Sequence, residues 1–336
     1  MGVTINDVAK KAGVSHTTVS WVIHDDPRIT AATKKKVMAA IRELDYHPNL
    51  HARSLVRGKT NTIALVATEW STSFESRFLK GLEQGFPGTS SGYEVQMYSL
   101  MGDGTILDRV LKDILFGNRA DAVILVNLTL GGELAESFRK KSFPLILVEE
   151  EAENAHIIKM DNVAGARLAT NKLVSEGRHH IALVSGDPQD QMSGMSARER
   201  VRGFREIIDG SGGSQIKHSL IHVSDYHFET GETIYRQLRD RDPFLDAVFC
   251  AAGDMVALGI MRAAIEDGLR IPDDLAIIGY DNLEIGSLVD PPLSTVSQPI
   301  EQLGRDSFAL ALDLLEDFRD PATIIHQPEL MIRASG

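Results

Sequence analysis

Apolar residues recur every three or four positions as far as Leu44: Ile5, Val8, Ala9 and Ala12, then Val19, Val22 and Ile23, then Val37, Ile41 and Leu44. That spacing predicts three short helices, each with one buried stripe. Thr4 with Asp7 forms a capping pair for the first helix, Ser15 caps the second and Thr30 opens the third. Gly13 permits the sharp turn between the first two, where a bulkier residue would be strained. His16, Thr17, Ser20 and Trp21 are left on the outward face of the second helix. Residues 49–58, after His47-Pro48, read as a capped stretch of about two helical turns, too short to repay nucleation alone. A segment that orders only against a partner can act as a switch.

Beyond residue 60 the pattern becomes strand and helix in alternation. Apolar runs predict strands at 62–67, 94–98, 122–126, 145–148, 157–160, 181–184, 221–223, 247–250 and 275–278, and an amphipathic helix runs from Phe74 to Phe86. Strands separated by helices predict doubly wound parallel sheets, and about 270 residues exceed a comfortable single core, so two sheets are expected. Open parallel sheets bind ligands beyond the carboxyl ends of their strands. The residues at those ends are Glu69, Trp70, Phe74, Glu149, Glu150, Asp161, Asp187, Asp254 and Asp281. Such a polar, carboxylate-rich lining suits a ligand with many hydroxyls.

Charge sharpens the division. Residues 1–60 hold ten Lys or Arg against five Asp or Glu, whereas the other 276 hold 25 against 42. A basic head on an acidic body suits one module that faces a polyanion and one that nucleic acid repels. Lys34, Lys35 and Lys36 either face phosphate or form a solvated face. The single cysteine, Cys250, excludes an internal disulfide and a cysteine-based zinc site, and its strand setting predicts a packed thiol. Asp7, Lys10 and Lys11 interrupt any signal-peptide core, and no run reaches the roughly eighteen apolar residues of a membrane span. A soluble cytoplasmic protein is expected. The sequence has no nucleophile elbow, phosphate loop or His-x-x-x-His metal pair, so neither catalysis nor a cofactor is expected. His179, His180 and Asp187 are the residues an enzymatic reading would use, although the two histidines precede a strand, where capping or pairing is the simpler role.

Residues 3–58 resemble the headpiece and hinge of the lactose-repressor (LacI/GalR) family of bacterial transcription regulators. The resemblance rests on Val8-Ala9, Ala12-Gly13-Val14-Ser15, Thr18-Val19-Ser20, Leu44-Asp45-Tyr46-His47-Pro48-Asn49 and Ala52-Arg53-Ser54-Leu55, all in register. It implies that His16 and Thr17 open a recognition helix in the major groove and that Leu55 wedges a minor-groove step, with packing between hinge helices as the alternative for Leu55. The DNA-facing set is Thr4, Ser15, His16, Thr17, Ser20, Trp21, Asn49, Ala52, Arg53 and Leu55. Trp21 stands where many relatives carry a polar or basic residue; the indole either packs on the DNA or covers the headpiece core.

The resemblance extends over the body, through Ser196-Ala197-Arg198-Glu199-Arg200-Val201-Arg202-Gly203-Phe204, Gly279-Tyr280-Asp281-Asn282 and Pro291-Pro292-Leu293-Ser294-Thr295-Val296. It implies a two-lobed periplasmic-binding-protein-like (type I) domain whose chain crosses between lobes near Asp161, near Asp290–Thr295 and near Asp320–Ile324. The expected organisation is a helix-turn-helix headpiece at 1–48, a hinge helix and linker at 49–60, and an effector and dimerisation domain at 61–336. Its N-lobe would hold 61–161 and 293–322, and its C-lobe 162–292 and 323–336. By family position Arg200 and Asp281 hydrogen-bond the effector, Glu149 and Gln298 assist, and Tyr226 stacks on it. The full effector set is Glu69, Trp70, Phe74, Glu149, Arg200, Tyr226, Gly253, Asp254, Asp281 and Gln298. A surface ion pair for Arg200 and a turn-forming role for Asp281 are the structural alternatives. Gly253 replaces an Asn of many relatives, which leaves room or a water in the cleft.

The implied partners are double-stranded DNA with a near-palindromic operator, a sugar or sugar derivative, and a second copy of the chain. A tetramer is possible, although no leucine-heptad tail follows Met331. The carboxylates disfavour an anionic effector. The alternative function keeps the DNA head and replaces the sugar by a protein co-regulator or a non-sugar effector.

Overall fold

The computed structural model describes residues 3–23, 26–46, 59–86, 92–101, 103–190, 194–210 and 216–336. The chain forms two compact units, Met1–Thr60 and Asn61–Gly336. In the first, helices α1 (Ile5–Ala12), α2 (His16–Ile23) and α3 (Ala31–Glu43) surround a small core. Val8, Ala9, Val19, Val22, Val37, Ala40 and Tyr46 are buried in it, and Ile23, Ile41 and Leu44 pack partly exposed against it. Gly13 adopts φ 65° at the end of α1, the left-handed turn expected of it. The segment 47–58, with Asn49, Ala52, Arg53 and Leu55, lies outside the described residues.

The second unit has two six-stranded sheets. The first runs in the order β11-β5-β4-β3-β1-β2 and is parallel throughout: β1 is Thr62–Ala67, β2 Glu94–Ser99, β3 Ala122–Val126, β4 Leu145–Val148, β5 His156–Met160 and β11 Thr323–His326. Side chains alternate across it. Ile63, Leu65, Ile124 and Ile146 meet α4 (Ser73–Gly85) on one face, whereas Ala64, Val66, Val123 and Leu147 meet α5 (Leu107–Phe116) and α6 (Gly132–Lys140) on the other.

The second sheet runs β12-β10-β9-β8-β6-β7, from β6 (His180–Gly186), β7 (Lys217–Val223), β8 (Ala247–Cys250), β9 (Ala276–Tyr280), β10 (Ser294–Ser297) and β12 (Glu329–Met331). Only the β10–β12 pairing is antiparallel. Helices α7 (Asn162–Ser175) and α8 (Gly194–Gly210) cover one face; α9 (Phe228–Arg241) and α10 (Asp254–Glu266) cover the other. A short α11 (Glu284–Leu288) follows β9, and α12 (Ile300–Glu316) lies beside α4 on the first sheet. There a Cβ on Gly81 would sit 2.0 Å from the Glu301 carbonyl oxygen and one on Gly304 would sit 2.2 Å from that of Phe78, so the two backbones touch.

The expected lobe boundaries need correction. Ser294–Ser297 pairs with β9 and so belongs to the C-lobe, while Thr323–His326 pairs with β5 and belongs to the N-lobe. The chain therefore crosses at Asp161, between Ser297 and Ile300, and between His326 and Glu329. The cause is visible in the residues: β10 reads Ser-Thr-Val-Ser, and β11 is an edge strand with mostly exposed side chains, so neither carries the apolar run that marks a buried strand. No helix among the described residues is long and apolar enough to cross a membrane.

Candidate functional site

The headpiece presents its polar groups by local capping. Thr4 donates to the Asp7 carboxylate from its backbone N–H (2.9 Å) and its hydroxyl (2.7 Å). Ser15 Oγ accepts the Thr18 N–H at 3.1 Å, which anchors the start of α2 and leaves His16 and Thr17 exposed on its first turn. Ser20 is half-buried. Trp21 is 38% exposed, with the Arg28 guanidinium 4.8 Å from its ring centroid. Asp26 holds that guanidinium by two hydrogen bonds of 2.9 and 2.7 Å, which keep its own carboxyl at about 2. Lys34, Lys35 and Lys36 are all exposed on α3.

The body brings a polar network together at the carboxyl ends of both sheets. Arg200, on α8, donates to Asn162 Oδ1 (2.8 Å) and to the Ala251 carbonyl (2.8 Å), and its guanidinium lies 3.9 Å from the centroid of the Tyr280 ring. Tyr280 donates its hydroxyl to the same Asn162 oxygen at 3.1 Å. Asp281 follows at φ 102°, and its Oδ1 accepts from Gln298 Nε2. Burial pushes the Asp281 carboxyl up, while Arg200 and Gln298 pull against that shift.

From the opposite lobe Arg77 reaches across, donating to the Asp281 carbonyl at 2.6 Å while it forks onto Glu301 at 3.0 and 2.8 Å. Glu75 accepts from Asn127 Nδ2 at 2.8 Å, and burial raises its carboxyl to about 7. Two more ties cross the gap: the Met195 N–H donates to Glu150 Oε1 (3.2 Å), and Lys159 Nζ donates to Glu199 Oε1 (2.7 Å). Together these groups form a polar network between the two sheets whose charged members are held by protein partners.

A model of the lacI family of bacterial regulatory proteins matches residues 4–49, and one of periplasmic binding protein-like domains matches 170–336. The transcriptional regulator CelR of Thermobifida fusca is 33% identical over 339 residues, covering 99% of this chain and 98% of that protein. The chain belongs to the LacI family. The repressor PurR of Vibrio parahaemolyticus is 32% identical over 98% of this chain and 97% of its own length. Among solved structures, the lac repressor bound to ONPG in the repressed state superposes with a TM-score of 0.82 at 27% identity, covering all of both chains. This LacI-family chain is thus a helix-turn-helix transcription regulator with a two-lobed body.

Several expected effector residues of this LacI-family chain have protein partners of their own. Both oxygens of Glu149 are taken, by the Met160 N–H (2.6 Å) and Asn162 Nδ2 (2.8 Å), and the side chain is buried. It braces the first crossing between lobes. Asp254 is likewise spent on Thr295 Oγ1 and the Leu283 N–H, each at 2.7 Å, and burial followed by repulsion from Asp281 raises it to about 7. Trp70 donates its indole N–H to the Tyr98 carbonyl at 3.1 Å and packs, with Phe74, on the first-sheet core. Glu69 is exposed, and so is Tyr226 (48%), whose hydroxyl lies within 2.6 Å of where a Cβ on Gly186 would stand.

Gly253 does not simply leave room. Its φ of 116° disfavours any side chain, and a Cβ would approach Asp281 Oδ2 to 3.0 Å. Asp161 caps α7 through the Ala164 N–H (2.9 Å), and exposed Asp187 accepts the Gln189 N–H (2.8 Å). His180 pairs with Asp242 at 2.8 Å, and Cys250 is buried, which pushes its thiol up.

Sequence reasoning missed Glu75, Arg77, Asn127, Asn162 and Tyr280. The strand-end rule contained the signal for most: Asn127 directly follows β3, Asn162 comes two residues after β5, Tyr280 ends β9, and Glu75 lies in the first turn of the helix after β1.

Proposed function

We propose that this regulator is a cytoplasmic homodimer that represses from a near-palindromic operator and is controlled by a sugar or sugar derivative held between its lobes. It catalyses nothing and releases its effector unchanged. The observation that carries the reading is the Arg200–Tyr280–Asp281–Gln298 cluster, in which a fixed guanidinium fork and a fixed carboxylate stand side by side at the ends of the second sheet. Such pairs bind vicinal hydroxyls well. The solved complex of CelR with cellobiose, 28% identical with a TM-score of 0.69 over 99% of this chain, supports that ligand class.

In this reading His16, Thr17, Ser20 and Trp21 face bases and the α3 lysines face phosphate. Asn49, Ala52, Arg53 and Leu55 complete the DNA-facing set. The domains run 1–48, 49–60, an N-lobe of 61–161 and 298–326, and a C-lobe of 162–297 and 327–336. Cleft closure shifts the hinges, so effector and operator affinities are linked reciprocally.

A thermal-shift screen of sugars, followed by operator binding with and without each hit, tests this. Asp281→Ala is expected to keep operator binding and lose the response to the effector. An unchanged response removes Asp281 from the pocket, and silence across the screen favours a protein co-regulator.

A further inference from the structure

Glu75 is a buried carboxyl with no cation beside it. It is 7% exposed, in the first turn of α4, and among the described residues its side chain accepts from the neutral amide of Asn127. Among the described residues no Lys, Arg or His nitrogen lies within 4.0 Å of it. The nearby guanidinium of Arg77 is committed to Glu301 and to the Asp281 carbonyl. Arg200 is committed to Asn162 and Ala251. The charges that act on Glu75 most strongly are Glu69 on its own lobe and Asp281 on the other, both of its own sign. Closing such a cleft on a neutral ligand would either hold these carboxyls protonated or seal like charges into a medium that screens them poorly, whereas a cationic ligand offsets them.

The hydrogen-bond inventory leans the same way. Gln298 gives its Nε2 to Asp281, which leaves its Oε1 buried without a partner at 2% residue exposure. A buried acceptor without a partner therefore stands beside Asp281. A hydroxyl brings one donor and no charge; an ammonium brings three donors and a positive charge.

We propose that the effector carries a protonated amine, as an amino sugar does, and that this ammonium pairs with Glu75 while hydroxyls of the same ligand answer Asp281 and Arg200. The inference rests on the reading of the cleft as a sugar site and adds the charge of the ligand. Buried ion pairs of this kind discriminate strongly, because a partner that lacks the charge leaves the carboxylate stranded.

Calorimetry on the full chain near neutral pH tests it with matched ligands: glucose, glucosamine and N-acetylglucosamine; the corresponding galactose and mannose series; and cellobiose against the chitosan disaccharide. In at least one series the amine is expected to bind about tenfold more tightly than both its hydroxyl and its N-acetyl counterparts, with Glu75→Gln shrinking that ratio to about twofold or less. Neutral sugars that bind as well as their amines in every series overturn the proposal and leave the sugar reading intact. Silence in every series overturns both. An amine preference that survives Glu75→Gln overturns the assignment to Glu75, and if that variant misfolds the comparison of free amine with N-acetyl in the unaltered protein still decides.

Discussion

The headpiece and the body keep their functional side chains under opposite conditions. In the headpiece the polar groups are exposed and their supports are local: Asp7 answers Thr4, Ser15 answers Thr18, and Asp26 answers Arg28. In the body the equivalent groups are buried or half-buried and their supports come from far along the chain. Arg77 is fixed by Glu301, Tyr280 by Asn162, and Asp281 by Gln298. A surface that must meet a long polyanion needs reach; a cleft that must recognise a small ligand needs groups whose geometry is settled beforehand.

The largest test of that contrast concerns close packing. Gly304→Ala is expected to destabilise the body by about 3 kcal/mol, since its Cβ would meet the backbone of Phe78 and neither helix can move without the other. Gly13→Ala has open space around it and is expected to cost the headpiece only the left-handed backbone penalty, roughly 1 kcal/mol. Calorimetry that resolves the two transitions checks both, and equal losses would erase the distinction.

The next difference is in the response to pH. Burial holds Glu75, Glu150 and Asp254 at about 7, against ordinary values of 4.5, 4.5 and 3.8. The folded body therefore keeps protons that the unfolded chain releases, and these groups lower its stability progressively as pH rises from about 4 to about 7. Asp254→Asn should flatten that slope. In the headpiece the sign reverses, because hydrogen bonds from Arg28 and Thr4 lower Asp26 and Asp7. Their contribution is present above the unfolded value and is lost as pH falls through the folded one. Melting temperatures of both transitions from about pH 2 to about pH 7 sharpen the comparison, the headpiece losing stability below about pH 4 and the body above it; parallel slopes would break it.

The smallest effect expected is at the exposed lysines. Lys35→Ala should weaken operator and nonspecific DNA alike and reduce the slope of log affinity against log salt by about one. A loss confined to the operator would mean that this side chain reads sequence.

Legibility follows the same division. The headpiece was readable in detail because its determinants lie three or four residues apart: a cap and its partner, a stripe and its turn. The body's interior strands were readable as apolar runs, and Arg200, Asp281 and Gln298 do converge. Glu149 and Asp254 fall at the expected strand ends, but whether a carboxylate there meets a ligand or a neighbour is settled by Asn162 or Thr295, and no local pattern announces that pairing. β10 and β11 were missed as strands for a related reason. β11 is an edge strand, whose residues need not be apolar, and β10, between β12 and β9, buries Ser and Thr side chains that no apolar run announces.

The helix that carries Arg200 is anchored to the facing lobe at two points before it reaches that residue, Met195 to Glu150 and Glu199 to Lys159. It behaves as a beam already bolted over the gap. A molecule that pulls on Arg200 loads those bolts directly, so the first sheet feels the tug without waiting for the three chain crossings to flex.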